Sequence, residues 1–210
     1  MTIAAVLFDV DGVLLDSAAA HRRVWNSWSL MRGLDPDTVW RFTFGRRPED
    51  TVGDVAPSLD PVAERRVLDQ LLAREGNAFP PVEGAAVLLA VLPAEAWAIV
   101  TSGDRESVHQ RFAAAGLPLP GVQVFGADVE RAKPEPDCFA LASSRLGVDP
   151  SRCLVVEDAP AGVRAGKAAG CTVVGLTTAH SGSALQEADF CAATLAEVEE
   201  LVRSHGLVID

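Results

Sequence analysis

The chain has 210 residues, 49% of them apolar and 22% charged, enough to bury a hydrophobic core as one large domain or as a core with an insertion. A formal charge of −11 and a pI near 4.8 argue against a nucleic-acid partner, and any anionic substrate must be met by a local positive site. Cys138, Cys153, Cys171 and Cys191 show no paired spacing and read as buried, reduced thiols; with no N-terminal signal pattern and no apolar run long enough to cross a bilayer, a cytoplasmic monomer is expected.

Residues 3–8 read as a strand, and 18–79 as a predominantly helical stretch whose first helix carries Val24, Trp25, Trp28 and Met31 at helical spacing. "FPPVEG" (79–84) is a linker signal. Strands and helices then alternate. Strands are expected over 96–102, 122–127, 153–158 and 171–176. Helices are expected over 104–115, 135–146 and 160–169, each stopped by a glycine, and over 194–204. This alternation implies an α/β fold, a doubly wound parallel sheet covered on both faces, with ligands bound at the carboxyl edge of its strands.

The polar residues gather at those strand ends: Asp9 and Asp11, Thr101 and Ser102, Glu157 and Asp158, with Lys133 in a loop before a helix. Parallel strands bring them to one edge. Asp9 and Asp158 suit Mg2+, which prefers oxygen ligands. Lys133 neutralises a phosphate dianion, while Thr101, Ser102 and nearby backbone N–H groups hydrogen-bond its oxygens. One carboxylate can attack phosphorus and form an aspartyl-phosphate. The other, two residues on and therefore on the same side of the strand, can protonate the leaving oxygen and later take a proton from water.

Each feature has a structural alternative. Asp-x-Asp-Gly can be a turn, Glu157–Asp158 and Thr101–Ser102 can cap helices, and a lysine is most often solvated. Their order, each at a strand end or helix start, is what such alternatives fail to explain. "GVRAGKAAG" (162–170) lacks the spacing and the hydroxyl of a phosphate-binding P-loop, and "DVDGVLLDS" (9–17) lacks the ligands and glycine of a calcium loop.

On "FDVDGVLLDS", "VTSG", "RAKPEPD" and "VVEDAPAGVRAGKAAG" the sequence resembles the phosphatase branch of the haloacid dehalogenase superfamily over essentially its whole length. The resemblance implies a Rossmann-like core of residues 1–15 and 84–210 and an inserted α-helical cap of residues 16–83. It makes Asp9 the nucleophile, Asp11 the general acid/base, and Thr101, Ser102 and Lys133 the phosphate ligands. Mg2+ then binds Asp9, the main-chain carbonyl of Asp11 and Asp158, with Glu157 as ligand or neighbour. The presence of Asp11 disfavours a dehalogenase. "WAIVTSG" and the fourth motif are similar to sugar-phosphate and glycerol-phosphate phosphatases, so the expected substrate is a small phosphorylated sugar or polyol. His21, Arg46 and Arg47 are the cap candidates for its organic part, while Trp25 and Trp28 are expected to pack the cap interior.

The alternative is a β-phosphoglucomutase-like enzyme. Mutases carry a cap lysine that aligns near Glu75, where glutamate would remove the cation for a second phosphate. A signalling receiver shares the acidic groups, hydroxyl and lysine, but resembles a chain of about half this length without a cap.

Overall fold

The structure, a computed structural model, describes residues 2–76 and 78–207. A parallel six-stranded sheet in the order β3-β2-β1-β4-β5-β6 is built from β1 (Ala5–Phe8), β2 (Trp97–Val100), β3 (Val122–Val124), β4 (Cys153–Glu157), β5 (Thr172–Leu176) and β6 (Phe190–Ala192). β1 and β4 are buried along their whole length, as apolar strands covered on both faces should be. Alternation divides β1: Val6 and Phe8 join the core beneath α5 (Ala85–Val91), α6 (Arg105–Ala115) and α9 (Leu195–Ser204). Ala5 and Leu7 join the opposite core beneath α7 (Asp137–Leu146) and α8 (Pro160–Ala168).

Local chemistry sets the helix ends. The Asp104 carboxylate accepts from Ser107 N and opens α6, Pro160 occupies the first turn of α8, and Gly116 and Gly147 end α6 and α7 in the left-handed conformation.

Between β1 and α5 lie four helices with a core of their own: α1 (Ala18–Met31), α2 (Pro36–Trp40), α3 (Pro48–Val55) and α4 (Pro61–Glu75). Trp25 and Trp28 pack in that core, edge to face, with ring centroids 5.5 Å apart. Trp28 is fully buried, and its indole N–H donates to Glu64, which also accepts from Arg32. Two chain segments link this unit to the sheet and run side by side: Asp16 N donates to Pro80 O at 2.8 Å and Val82 N to Leu14 O at 3.0 Å.

The structure departs from the sequence reading in four places. The helical stretch is four short helices ending at Glu75, and Phe79 lies outside them as a buried linker residue. The apolar run from Ala85 is a helix, which its lack of a capping side chain hid. The third strand stops at Val124, and Gly126–Asp128 form a 3-10 turn. The edge strand β6, which the sequence reading did not include, has only three residues, two of them exposed. All four cysteines are free, but Cys191 on that edge is exposed rather than buried. No helix among the described residues is long and apolar enough to cross a membrane.

Candidate active site

Three neighbouring strands, β2, β1 and β4, end together and deliver the polar groups to one edge. Asp9 follows β1, Thr101 follows β2, and Glu157 and Asp158 close β4, all four of them buried. Lys133 reaches them from the loop before α7 with its side chain 2% exposed, the reverse of a solvated lysine. Its ammonium donates to Asp9 Oδ1 at 2.6 Å, Glu157 Oε1 at 2.7 Å and Val100 O at 3.1 Å. The second oxygen of Glu157 accepts from Ala159 N at 3.2 Å, so both Glu157 oxygens are taken by protein donors and the residue braces Lys133. Two glycines make room. A Cβ on Gly162 would lie 1.7 Å from Glu157 Oε1, and one on Gly12, whose φ is +83°, would lie 2.0 Å from Asp158 Oδ2.

The carboxylates are crowded out of water. Burial raises the Asp9 carboxyl to about 7 even though Lys133 pulls it down, and burial with the charges of Glu157 and Asp9 holds Asp158 well above the ordinary carboxylate range. Asp9, Glu157 and Asp158 each offer an oxygen within 4.8 Å of the others. An all-oxygen donor set, buried and short of positive charge, fits a hard divalent cation such as Mg2+. Glu157, whose oxygens also accept from Lys133 and Ala159 N, completes the group beside Asp9 and Asp158 as ligand or neighbour.

Asp11 stands apart from this cluster. Its Oδ1 lies 3.7 Å from His21 Nε2 on α1 and 3.6 Å from an Arg111 nitrogen on α6. Burial pushes the Asp11 carboxyl up, but His21, Arg111, a hydrogen bond from Ser17 and the charge of Lys133 together outweigh it and leave the group below its ordinary value.

The helical unit roofs this edge over a half-open cavity of about 140 Å³. Asp9, Asp11, His21, Arg46, Thr101 and Ser102 all line it. The Ser102 hydroxyl donates to Gly45 O of the cap at 3.1 Å, and Thr101 Oγ1 accepts from Gly103 N at 3.0 Å. Arg46 pairs with Asp54 at 2.7 Å. Arg47 does not line the cavity. It pairs with Asp50 and donates to the carbonyls of Gly126, Val129 and Glu130, tying α3 to the loop after β3 rather than reaching for substrate. Glu75 also lies away from the lining and pairs with Arg23 at 2.6 Å; α4 presents Arg65, Leu68, Asp69 and Leu72 instead.

Sequence reasoning missed Arg65, Arg111 and His180. His180 donates to Asp158 O at 2.9 Å while its ring meets Phe44 of the cap, centroids 4.1 Å apart. These residues carry no local signal, since each matters only through a partner far away in the chain.

Comparison with known proteins follows the same lines. The family model for haloacid dehalogenase-like hydrolases matches residues 3–170, and the chain belongs to that family. It is similar to hexitol phosphatase A of Escherichia coli, 38% identical over 208 residues that make up 97% of this chain and 96% of the relative. Glycerol-1-phosphate phosphohydrolase 2 of Saccharomyces cerevisiae is 33% identical over 89% of this chain and 80% of its own. Among solved structures, a HAD family hydrolase of Deinococcus radiodurans with bound phosphate and sodium superposes with a TM-score of 0.75 at 30% identity, covering 98% of this chain and 97% of that one.

Proposed function

We propose that this hydrolase is a Mg2+-dependent phosphatase of small sugar or polyol monophosphates, working through an aspartyl-phosphate on Asp9 as a cytoplasmic monomer. The observation that carries the reading is the buried Lys133 fixed between Asp9 and Glu157, with Asp11 two residues on beneath the helical roof. The relatives named as hexitol and glycerol-1-phosphate phosphatases, and the similar structure with phosphate bound, support it.

Lys133 holds Asp9 Oδ1, which leaves Oδ2 free to attack phosphorus in line. Asp9, Asp158 and the Asp11 carbonyl would hold Mg2+, which would supply positive charge to offset that of the phosphate. Lys133 and the groups of Thr101 and Ser102 carry the charge on the phosphoryl oxygens. Asp11 gives a proton to the leaving oxygen and takes one back from the water that attacks the aspartyl-phosphate, releasing phosphate and freeing Asp9. The roof keeps bulk water out, and residues 16–83 act as the cap that opens on its paired linkers. The cavity, about 140 Å³, is below the roughly 300–1,000 Å³ that holds drug-sized ligands, which favours small monophosphates.

The mutase alternative lacks a seat for a second phosphate. Among the described residues that line the cavity, Arg46 is paired with Asp54, Arg65 with Asp69 at 2.7 Å and Glu49 at 3.1 Å, and Arg111 faces Asp11.

The test is phosphate release with Mg2+ from hexose, hexitol and glycerol phosphates, with D9N as blank. Release that D9N abolishes is expected. Conversion of β-glucose-1-phosphate to glucose-6-phosphate with a bisphosphate primer, and no release, would replace this reading with the mutase.

A further inference from the structure

Residues 44–47 of the cap meet the core loops that carry Ser102, Lys133 and Asp158. Gly45 O accepts from the Ser102 hydroxyl at 3.1 Å. Gly45 also lies against Ala159, next to Asp158: a Cβ on Gly45 would come within 2.9 Å of Ala159 Cβ. Arg47 takes the remaining loop, which runs from β3 through the 3-10 turn to Lys133. Its Nη1 donates to Gly126 O and Val129 O, both at 3.4 Å, and its Nη2 to Glu130 O at 3.2 Å. Asp50 aims the guanidinium, accepting from Nε at 2.9 Å. The stem passes over Gly126, where a Cβ would lie 3.4 Å from Arg47 Cδ.

This loop needs an external tie. Val129 and Glu130 lie between the 3-10 turn and α7, outside any helix or strand, so no ladder of backbone hydrogen bonds fixes them. Soon after them, Lys133 must place its ammonium 2.6 Å from Asp9 Oδ1 and 2.7 Å from Glu157 Oε1. A guanidinium presents five donors in a planar fork and can hold several carbonyls at once, whereas an ammonium is a point charge on a flexible stem. The tie comes from the cap, so the loop is held only while the cap is seated.

We propose that Arg47 is a positioning residue: seated on the carbonyls of Gly126, Val129 and Glu130, it docks the cap and fixes the loop that delivers Lys133 to Asp9. The effect on rate rests on the phosphatase reading; the docking rests on the geometry alone. A displacement of about 1 Å at a reacting group can cost about 10²-fold in rate.

The experiment makes two measurements on Arg47→Met, which keeps the stem over Gly126 and removes the donors. The first is the distance between spin labels on Cys191, the exposed cysteine of β6, and on Leu30→Cys at an exposed position of the cap. The second is kcat for glycerol 3-phosphate with Mg2+. Hydrogen bonds from a charged group shift an equilibrium about tenfold or more, so Arg47→Met should spread a single distance into a longer, broader distribution. kcat should fall by about 10–10²-fold, and Arg47→Lys should lie between wild type and Arg47→Met in both readouts. An arginine that only stabilises the fold would lower the melting temperature and leave the distances and kcat of the folded variant as they were. Either readout unchanged in folded Arg47→Met overturns the proposal. If wild type releases phosphate from no monophosphate, the phosphatase reading falls, and the distances alone still decide the docking. If Arg47→Met does not fold, the same two readouts on Arg47→Lys decide the matter.

Discussion

Replacing Lys133 by methionine tests the centre of the site. The change keeps an apolar stem beside Phe139, whose ring centroid lies 5.2 Å from the ammonium, and deletes a charge that touches both Asp9 and Glu157. Removing one partner of a buried ion pair strands the other, at about 3–5 kcal/mol. Two stranded carboxylates put Lys133→Met toward the upper end of that range. The assay is urea unfolding in a chelator, so that no cation replaces the ammonium. pH supplies an internal check. Burial raises Asp9 to about 7, and loss of Lys133, which pulls it down, raises it further. A carboxyl raised in the folded state costs nothing below its unfolded value and costs more as pH climbs through the folded one. The deficit of Lys133→Met should therefore be smaller at pH 5.5 than at pH 8.5. With Mg2+ present, phosphate release should fall by about 10²–10³-fold, the loss that follows removal of one charge-stabilising donor. A deficit below about 1 kcal/mol, or one that ignores pH, would refute the idea that this lysine holds the carboxylates together.

Gly162→Ala places a methyl 1.7 Å from Glu157 Oε1, so the glutamate must leave Lys133. A loss of about 1–3 kcal/mol and of most phosphatase activity is expected, and an unchanged melting temperature and rate would contradict the packing. In the cap, Glu64→Ala orphans the buried Trp28 N–H and should cost about 1–3 kcal/mol in chemical denaturation near pH 7. Burial raises the Glu64 carboxyl, but hydrogen bonds from Arg32 and Trp28 leave it below its ordinary value of 4.5. Its stabilisation is therefore complete above pH 4.5 and lost as pH falls through the lower folded value, so wild type and variant should converge in acid; a gap that stays constant down to pH 3 would contradict this.

What was legible in the sequence was local. Apolar runs that end in Asp9, Thr101 and Glu157 announced buried parallel strands, because a strand covered on both faces needs unbroken hydrophobicity until it emerges. Glycines after residues 115 and 146 announced helix ends, because few other residues take the left-handed turn that stops a helix. Parallel topology then placed the motif carboxylates and Lys133 at one edge before any coordinate was known. The sequence could not announce the roles of Arg47, Arg111 and His180. An arginine spends its five donors wherever the fold brings acceptors, and nothing in "GRRPED" says that Arg46 borders the cavity while Arg47 grips the carbonyls of residues 126–130. Glu157 was similar: its sequence neighbours marked it as a candidate ligand, and only the arrival of Lys133 and Ala159 N committed both its oxygens. The sequence by itself determined which chemistry gathers at the strand ends. Tertiary structure alone decided which polar atoms there are satisfied and which remain open to a substrate, because satisfaction depends on partners that only folding brings within hydrogen-bond reach.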